Sequence, residues 1–269
     1  MKLQKIIDQG YLIIRQADWH SVLDATTVEQ FYQNIIEFRQ GMRAFFERPK
    51  SERMLFQSDD NIDLRVSGYR CGYWPQGVYQ DGYEGKKFPL EYYHSRNFYL
   101  SDRAHLFFPE NNVAPALLTS VETLPHQQGY AIAELINVHL ILPFLEKLAA
   151  YLPTPSPLSC ILHIKPTYYR EKVVLDLHRD KGFIQTIVGP ASGMKIQPEA
   201  SDQSQEFDLD IGEILIYTGF QFQDQFQNVE GLRQVKPLLH GVIANEEKRM
   251  SIVAGTFLKP VETASSLCK

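Results

Sequence analysis

The sequence predicts a mixed α+β protein, in which an α-rich N-terminal half feeds an all-β second half of sandwich or jelly-roll type. Three observations carry this. Apolar residues recur at helical spacing between residues 27 and 48. A second helical region ends at Pro153, Pro155 and Pro157, which form a stiff connector. Beyond it, short β-prone runs are punctuated by Gly, Pro, Asn and Asp.

Taken in order, the N-terminus reads as a short helix or turn, followed by a strand at Tyr11-Leu12-Ile13-Ile14. Val28, Phe31, Ile35, Phe38, Met42 and Phe45 then mark one helix face. Thr27 with Gln30 fits a capping box, and Pro49 stops the run. Residues 58–97 alternate Gly with Tyr69, Tyr73, Trp74, Tyr79 and Tyr83, the chemistry of loops and short strands. Those rings either wall a substrate pocket or cover a sheet. The second helical region covers roughly 114–151. Strands are expected at 160–165, 173–178, 183–188, 193–197, 207–217, 238–244 and 249–258. This gives a single domain over 1–269, with a helix-rich region at 1–157, the β core and its site at 158–260, and a tail at 261–269.

Composition narrows the function. The 269 residues carry a net charge of −5, with 44% hydrophobic and 22% charged residues, ordinary values for a globular protein with a substantial core. Disorder, collagen and a disulfide scaffold are excluded. No Lys/Arg surplus supports nucleic-acid binding. The longest apolar run in the first twenty residues, Tyr11 to Ile14, is too short for a signal peptide, and nothing approaches a membrane span. Cys71, Cys160 and Cys268 are odd in number and far apart, as expected of reduced thiols. The expectation is a cytoplasmic protein acting on a small molecule, with no nucleic-acid or membrane partner and its oligomeric state open.

The chemistry concentrates in the β half. The strand at 173–178 runs into Arg179-Asp180, and residues two apart share a strand face, so His178 and Asp180 can point at one spot. His240 lies on another strand. Two His and one carboxylate match a facial-triad iron(II) site with open positions. The same set can hold zinc, although no general-base Glu adjoins it, and the two His can also be ordinary core residues. Arg249 and Ser251 share a face, and a guanidinium with a hydroxyl suits capture of a carboxylate. A symmetric hairpin centred on Glu246 would turn Arg249 and Ser251 away from His240. If all three face one cavity, their strands belong to opposite sheets.

In their order along the chain, these motifs resemble the iron(II)/2-oxoglutarate-dependent oxygenases, specifically the isopenicillin N synthase-like branch. Ala44-Phe45-Phe46-Glu47-Arg48-Pro49 followed by Lys50-Ser51-Glu52-Arg53 resembles the family's FF-x-LP-x-EEK segment, and Ser67-Gly68-Tyr69 its Gly-Tyr. His178-Arg179-Asp180-Lys181-Gly182 resembles H-x-D-x-G, Gly193-Met194-Lys195-Ile196 the GLQV strand, and Asp210-Ile211-Gly212-Glu213 the NIGD turn. His240-Gly241-Val242 stands where the family has HRV, and Arg249-Met250-Ser251-Ile252 resembles RxSI. No single piece is specific; the ordered set is.

The resemblance implies a double-stranded β-helix (jelly roll) flanked by helices. It implies that His178, Asp180 and His240 bind Fe(II), and that Arg249 and Ser251 hold the distal carboxylate of 2-oxoglutarate. O2 would then be used to hydroxylate, desaturate or cyclise a small molecule, with release of succinate and CO2. Tyr69, Tyr73, Trp74, Tyr79, Phe183 and Gln185 are the candidate substrate contacts. Arg179 either meets an acidic substrate group or is a solvated surface residue. The chain departs from the family at Lys165-Pro166-Thr167-Tyr168-Tyr169, where Asn-Tyr-Tyr-Pro is usual, at Gly241, and in an insertion between Phe222 and Lys236. Two further readings are an iron oxidase that does not use 2-oxoglutarate and a non-catalytic jelly-roll binding protein.

Overall fold

The computed structural model describes residues 3–54, 72–76, 90–100, 106–107, 126–149, 151, 160–199, 201–244 and 247–258. Helix α1 (Leu3–Gln9) leads into strand β1 (Tyr11–Ile14) and a one-turn helix α2 (Gln16–Trp19). The long helix α3 (Ala25–Glu47) buries Val28, Phe31, Ile35, Phe38, Met42, Phe45 and Phe46, the expected stripe. Its start differs from expectation. Asp24 is the N-cap, accepting from the Thr27 backbone N–H at 2.9 Å and the Thr27 hydroxyl at 2.7 Å. A carboxylate at this position answers both the orphan N–H groups and the helix dipole, so it displaces the Thr27–Gln30 box. These bonds hold the Asp24 carboxyl below its ordinary pKa.

Helix α4 (Lys50–Met54) follows Pro49. Strands β2 (Gly72–Trp74), β3 (Glu91–Leu100) and β4 (Leu106–Phe107) also come from the first half. Helices α5 (His126–Ile136) and α6 (Leu142–Ala149) are joined by a wide π-turn, Asn137–Ile141. The wide turn sits just before Pro143, which has no N–H to give and crowds the preceding turn. None of the described helices is long and apolar enough to cross a membrane.

The second half supplies β5 (Cys160–Tyr169), β6 (Val173–His178), β7 (Ile184–Val188), β8 (Ala191–Gln197), β9 (Gln205–Leu209) and β10 (Ile214–Thr218). Helix α7 (Phe220–Phe226), β11 (Leu239–Ala244) and β12 (Arg249–Leu258) complete it. The run expected as one strand at 207–217 is two, because Gly212 turns the chain at φ 75°. A β-carbon there would fall 2.0 Å from the Tyr32 ring, so glycine meets both demands. The insertion between 222 and 236 folds as α7 and following turns. It buries Phe222, Phe226, Leu232 and Val235.

The strands form two antiparallel sheets. The larger runs β1-β10-β7-β12-β5-β3-β2, with β4 beside β3, and the smaller runs β6-β11-β8-β9. The larger sheet therefore recruits β1, β2 and β3 from the first half, and the expected division at residue 157 does not follow it. Side-chain alternation splits the interior in two. Ile164, Tyr168, Ile184, Val188, Ile214, Ile216, Met250, Ile252 and Ala254 face the helices and join the α3, α5 and α6 core. Tyr92, Tyr169, Ile187, Leu215 and Tyr217 face the smaller sheet, where they meet Leu175, Met194, Ile196 and Val242. Strands β11 and β12 lie in different sheets, as inward-facing His240 and Arg249 require.

Two aromatic residues expected at a substrate pocket stand on the helix side. Phe183 is fully buried, with ring centroids 5.4 Å from Phe222 and 6.1 Å from Phe226. Tyr73 packs edge-on against Phe45 at 5.6 Å, and its hydroxyl joins Arg53 and Glu91. Glu91 also pairs with Arg170 at 2.6 Å, so this buried carboxylate is balanced by two guanidinium groups. Both rings are thus structural: Tyr73 falls on the outward pleat of β2, and Phe183, in the bend before β7, turns into the helix-side core. Phe183→Ala is expected to destabilise the fold by about 3–5 kcal/mol in urea unfolding. A loss well under 1 kcal/mol would contradict this placement.

Candidate metal centre

The β6–β11 register sets His240 directly opposite His178, and the two imidazole centroids are 4.5 Å apart. Just past His240 the register shifts, at Gly241. A β-carbon at 241 would sit 2.6 Å from the Leu175 carbonyl oxygen. This close strand approach is the reason glycine is required at 241.

Asp180 follows two residues after β6, in a loop pinned at both ends. The Phe220 N–H donates to the Asp180 carbonyl at 2.9 Å, the Gly219 N–H to Phe183 at 3.0 Å, and the Phe183 N–H to Thr256 at 2.8 Å. The loop therefore returns the carboxylate to the two imidazoles. Asp180 Oδ1 is 3.8 Å from His178 Nε2, and Asp180 Oδ2 is 3.6 Å from His240 Nε2. One ligand atom from each of the three residues lies within 4.8 Å of the others.

Each imidazole is oriented by its other nitrogen. His178 Nδ1 is 2.9 Å from the Asp176 carbonyl and His240 Nδ1 is 3.2 Å from the Leu238 carbonyl. A carbonyl only accepts, so each Nδ1 carries the proton and each Nε2 presents its lone pair toward Asp180. Tyr217 adds a further contact. Its hydroxyl donates to Asp180 Oδ2 at 2.6 Å and lies 3.3 Å from His240 Nε2.

The electrostatics keep these groups in metal-binding form. Burial raises the Asp180 carboxyl, but His240, His178, Lys165 and the Tyr217 hydroxyl outweigh it and bring it to about 2. Burial pushes His240 down to about 4, with Asp180 opposing and His178 reinforcing, so it is neutral near pH 7. Burial and then Asp180 push the Tyr217 phenol well above its ordinary value, which keeps it a donor. A neutral His240 imidazole and an ionised Asp180 carboxylate beside the His178 ring, with both Nδ1 atoms hydrogen-bonded to carbonyls, fit a divalent transition metal.

The remaining candidates can now be placed. Arg249 and Ser251 share the inner face of β12, as expected. Arg249 Nε donates to the Ser192 carbonyl at 2.7 Å, and its guanidinium lies 4.9 Å from the Tyr169 ring centre. Ser251 Oγ is 2.6 Å from Thr167 Oγ1. Gln185 also faces inward, with Nε2 3.4 Å from the Thr256 carbonyl. Trp74 stacks on Tyr92 at 5.7 Å, on the inner side. Arg179 points away, donating to the Pro237 carbonyl and to Glu199 on the surface. Tyr69, Tyr79 and Tyr83 lie outside the described residues. Sequence reasoning missed Tyr217 and Lys165. Their signals were present: a phenol at an inward position of β10, after Ile214, Leu215 and Ile216, and an ammonium between Ile164 and Pro166 on β5.

No protein-family model matches the chain, and no curated protein matches it. Solved structures do share its fold. The dioxygenase for auxin oxidation 1 from Arabidopsis thaliana, in a binary complex with 2-oxoglutarate, aligns over 97% of this chain and 89% of its own, with 17% identity and a TM-score of 0.60. A candidate oxygenase from Shewanella oneidensis aligns over 96% and 85%, with 17% identity and a TM-score of 0.59. JOX2, crystallised with 2OG, Fe and JA, aligns over 97% and 72%, with 15% identity and a TM-score of 0.58. The chain therefore has the fold of these oxygenases over nearly its whole length.

The depressed His240 pKa gives a pH expectation for the metal-free protein. Unfolded, this imidazole titrates near 6.5; folded, it titrates near 4. Between those values the unfolded chain binds more protons, so stability is full above the upper value and falls as pH drops toward the lower. Urea midpoints should decline across that window, and His240→Gln should flatten the decline. An equal decline in His240→Gln would contradict the assignment.

Proposed function

We propose that the protein is a non-haem iron(II)- and 2-oxoglutarate-dependent oxygenase, built on a double-stranded β-helix, that oxidises a C–H bond of a small molecule. The observation that carries this reading is the convergence of His178, Asp180 and His240, each offering a ligand atom within 4.8 Å of the others. The oxygenase fold shared with solved structures supports it, as do inward-facing Arg249 and Ser251.

In this reading His178 Nε2, Asp180 and His240 Nε2 hold the iron, with Arg249 and Ser251 receiving the distal carboxylate of 2-oxoglutarate. The bound metal supplies activation of O2 and oxidation of the C–H bond. For a hydroxylation, 2-oxoglutarate, O2 and R–H become succinate, CO2 and R–OH. The protein's part is positional. The Asp176 and Leu238 carbonyls fix both imidazole tautomers, and Tyr217 steers the carboxylate. The Ser192 carbonyl and the Tyr169 ring hold the Arg249 fork before any ligand arrives, which lowers the ordering cost of binding. Apolar inner residues, including Ile187, Leu215 and Val242, keep the space dry and strengthen each polar contact.

The test is 2-oxoglutarate consumption against a metabolite library, with and without a chelator. Succinate release is expected, and it should vanish on chelation and in His178→Ala or Asp180→Ala. Full release by a folded His178→Ala protein would overturn the assignment. Arg249→Gln should raise the KM for 2-oxoglutarate by about 10–100-fold, the scale of a lost charge-assisted hydrogen bond. An unchanged KM would remove Arg249 from the co-substrate site.

A further inference from the structure

Strand β5 carries one inward side chain that the reaction above does not use. Along it, Ile164 and Tyr168 face the helices, while Lys165, Thr167 and Tyr169 face the space between the sheets. The Lys165 ammonium lies 5.4 Å from the centre of the Tyr92 ring. No described carboxylate or carbonyl accepts a hydrogen bond from it; its contact is an aromatic face. It is nonetheless close enough to the metal centre for its charge to help hold down the Asp180 carboxyl.

Lys165 is part-buried, and its ammonium opens on the space between the sheets. A cation–π contact leaves most of its hydrogen-bonding capacity for an anion entering that space. The co-substrate does not supply it at the Arg249 site. Arg249 and Ser251 pair with Tyr169 and Thr167 across the β12–β5 ladder, whereas Lys165 pairs with Val253. Lys165 therefore stands along the strand from the co-substrate anchor. Tyr92 and Trp74, stacked together beside the ammonium, offer a flat apolar wall.

Resting on the oxygenase reading, we propose that Lys165 receives a carboxylate of the primary substrate, so that the enzyme acts on a small organic acid with an apolar body lying against Tyr92 and Trp74. Lys165 is a specificity-determining residue in this scheme, and the anion completes its hydrogen bonding when substrate enters.

The test is anaerobic calorimetric titration of the Fe(II)- and 2-oxoglutarate-loaded protein, which reads binding without turnover. The probes are a panel of aryl and alkyl monocarboxylic acids, each paired with its primary amide. In the wild type, at least one acid should bind about tenfold or more tightly than its amide, the scale of one charge-assisted bond. Lys165→Met, which keeps the length and removes the charge, should level that pair and leave the 2-oxoglutarate Kd unchanged. Acid preference surviving in folded Lys165→Met, amides binding as well as acids, or no acid binding at all would each overturn the proposal. A weaker 2-oxoglutarate Kd with acid preference intact would overturn it too, by assigning Lys165 to the co-substrate. Wild-type protein that binds acids but neither iron nor 2-oxoglutarate would instead sink the oxygenase reading.

Discussion

The antiparallel pairing of β6 with β11 is the constraint on which the rest depends. It places two imidazoles from distant parts of the chain directly opposite one another, at the end where the Asp180 loop returns. A slip of one residue would turn His240 out of the interior and dissolve the cluster. The pairing is secured by Val242 and Ala244 packing inward, by Gly241 permitting the close approach at the register shift, and by the hydrogen bonds that pin residues 180–183. The placement of the two imidazoles is therefore a property of sheet register, and that of Asp180 a property of a loop pinned by backbone hydrogen bonds.

The two faces of the larger sheet divide the work. Its outer face packs on α3, α5 and α6 through a continuous apolar core, which makes the sheet a rigid backing. Its inner face carries Lys165, Thr167, Arg249, Ser251, Gln185 and Tyr217. Thr167 holds Ser251 and the Tyr169 ring supports Arg249 on that face. A binding group on a backed strand keeps its aim better than one on a loop.

How much the sequence revealed follows from which signals are local. The α3 stripe, most of the strands and the inward direction of His178, Asp180, His240, Arg249 and Ser251 were legible, because period-2 and period-3.6 patterns survive in any context. Parity placed β11 and β12 in different sheets only on the condition that His240, Arg249 and Ser251 face one cavity, and the two strands do lie in different sheets. The N-cap at Asp24 was missed because Thr27 offered a competing capping pattern three residues on. The splitting of 207–217 turned on one residue, Gly212, which has a positive φ and lies where a β-carbon would meet the Tyr32 ring from another element. The recruitment of β1, β2 and β3 into the larger sheet is a long-range pairing that local composition does not encode. Phe183 and Tyr73 were assigned to a pocket by proximity in sequence, yet Tyr73 falls on the outward pleat of β2 and Phe183 turns to the helix side from the bend before β7. Tyr217 became visible as a partner of Asp180 only when β10 was set beside β7.

The most direct measurement is X-ray absorption at the iron edge of protein loaded with one equivalent of Fe(II). The expected signal is the multiple scattering of two imidazole rings around the metal, falling to one ring in His240→Ala. A spectrum with no imidazole scattering, or one that His240→Ala leaves unchanged, would contradict convergence of these three side chains on a common ion.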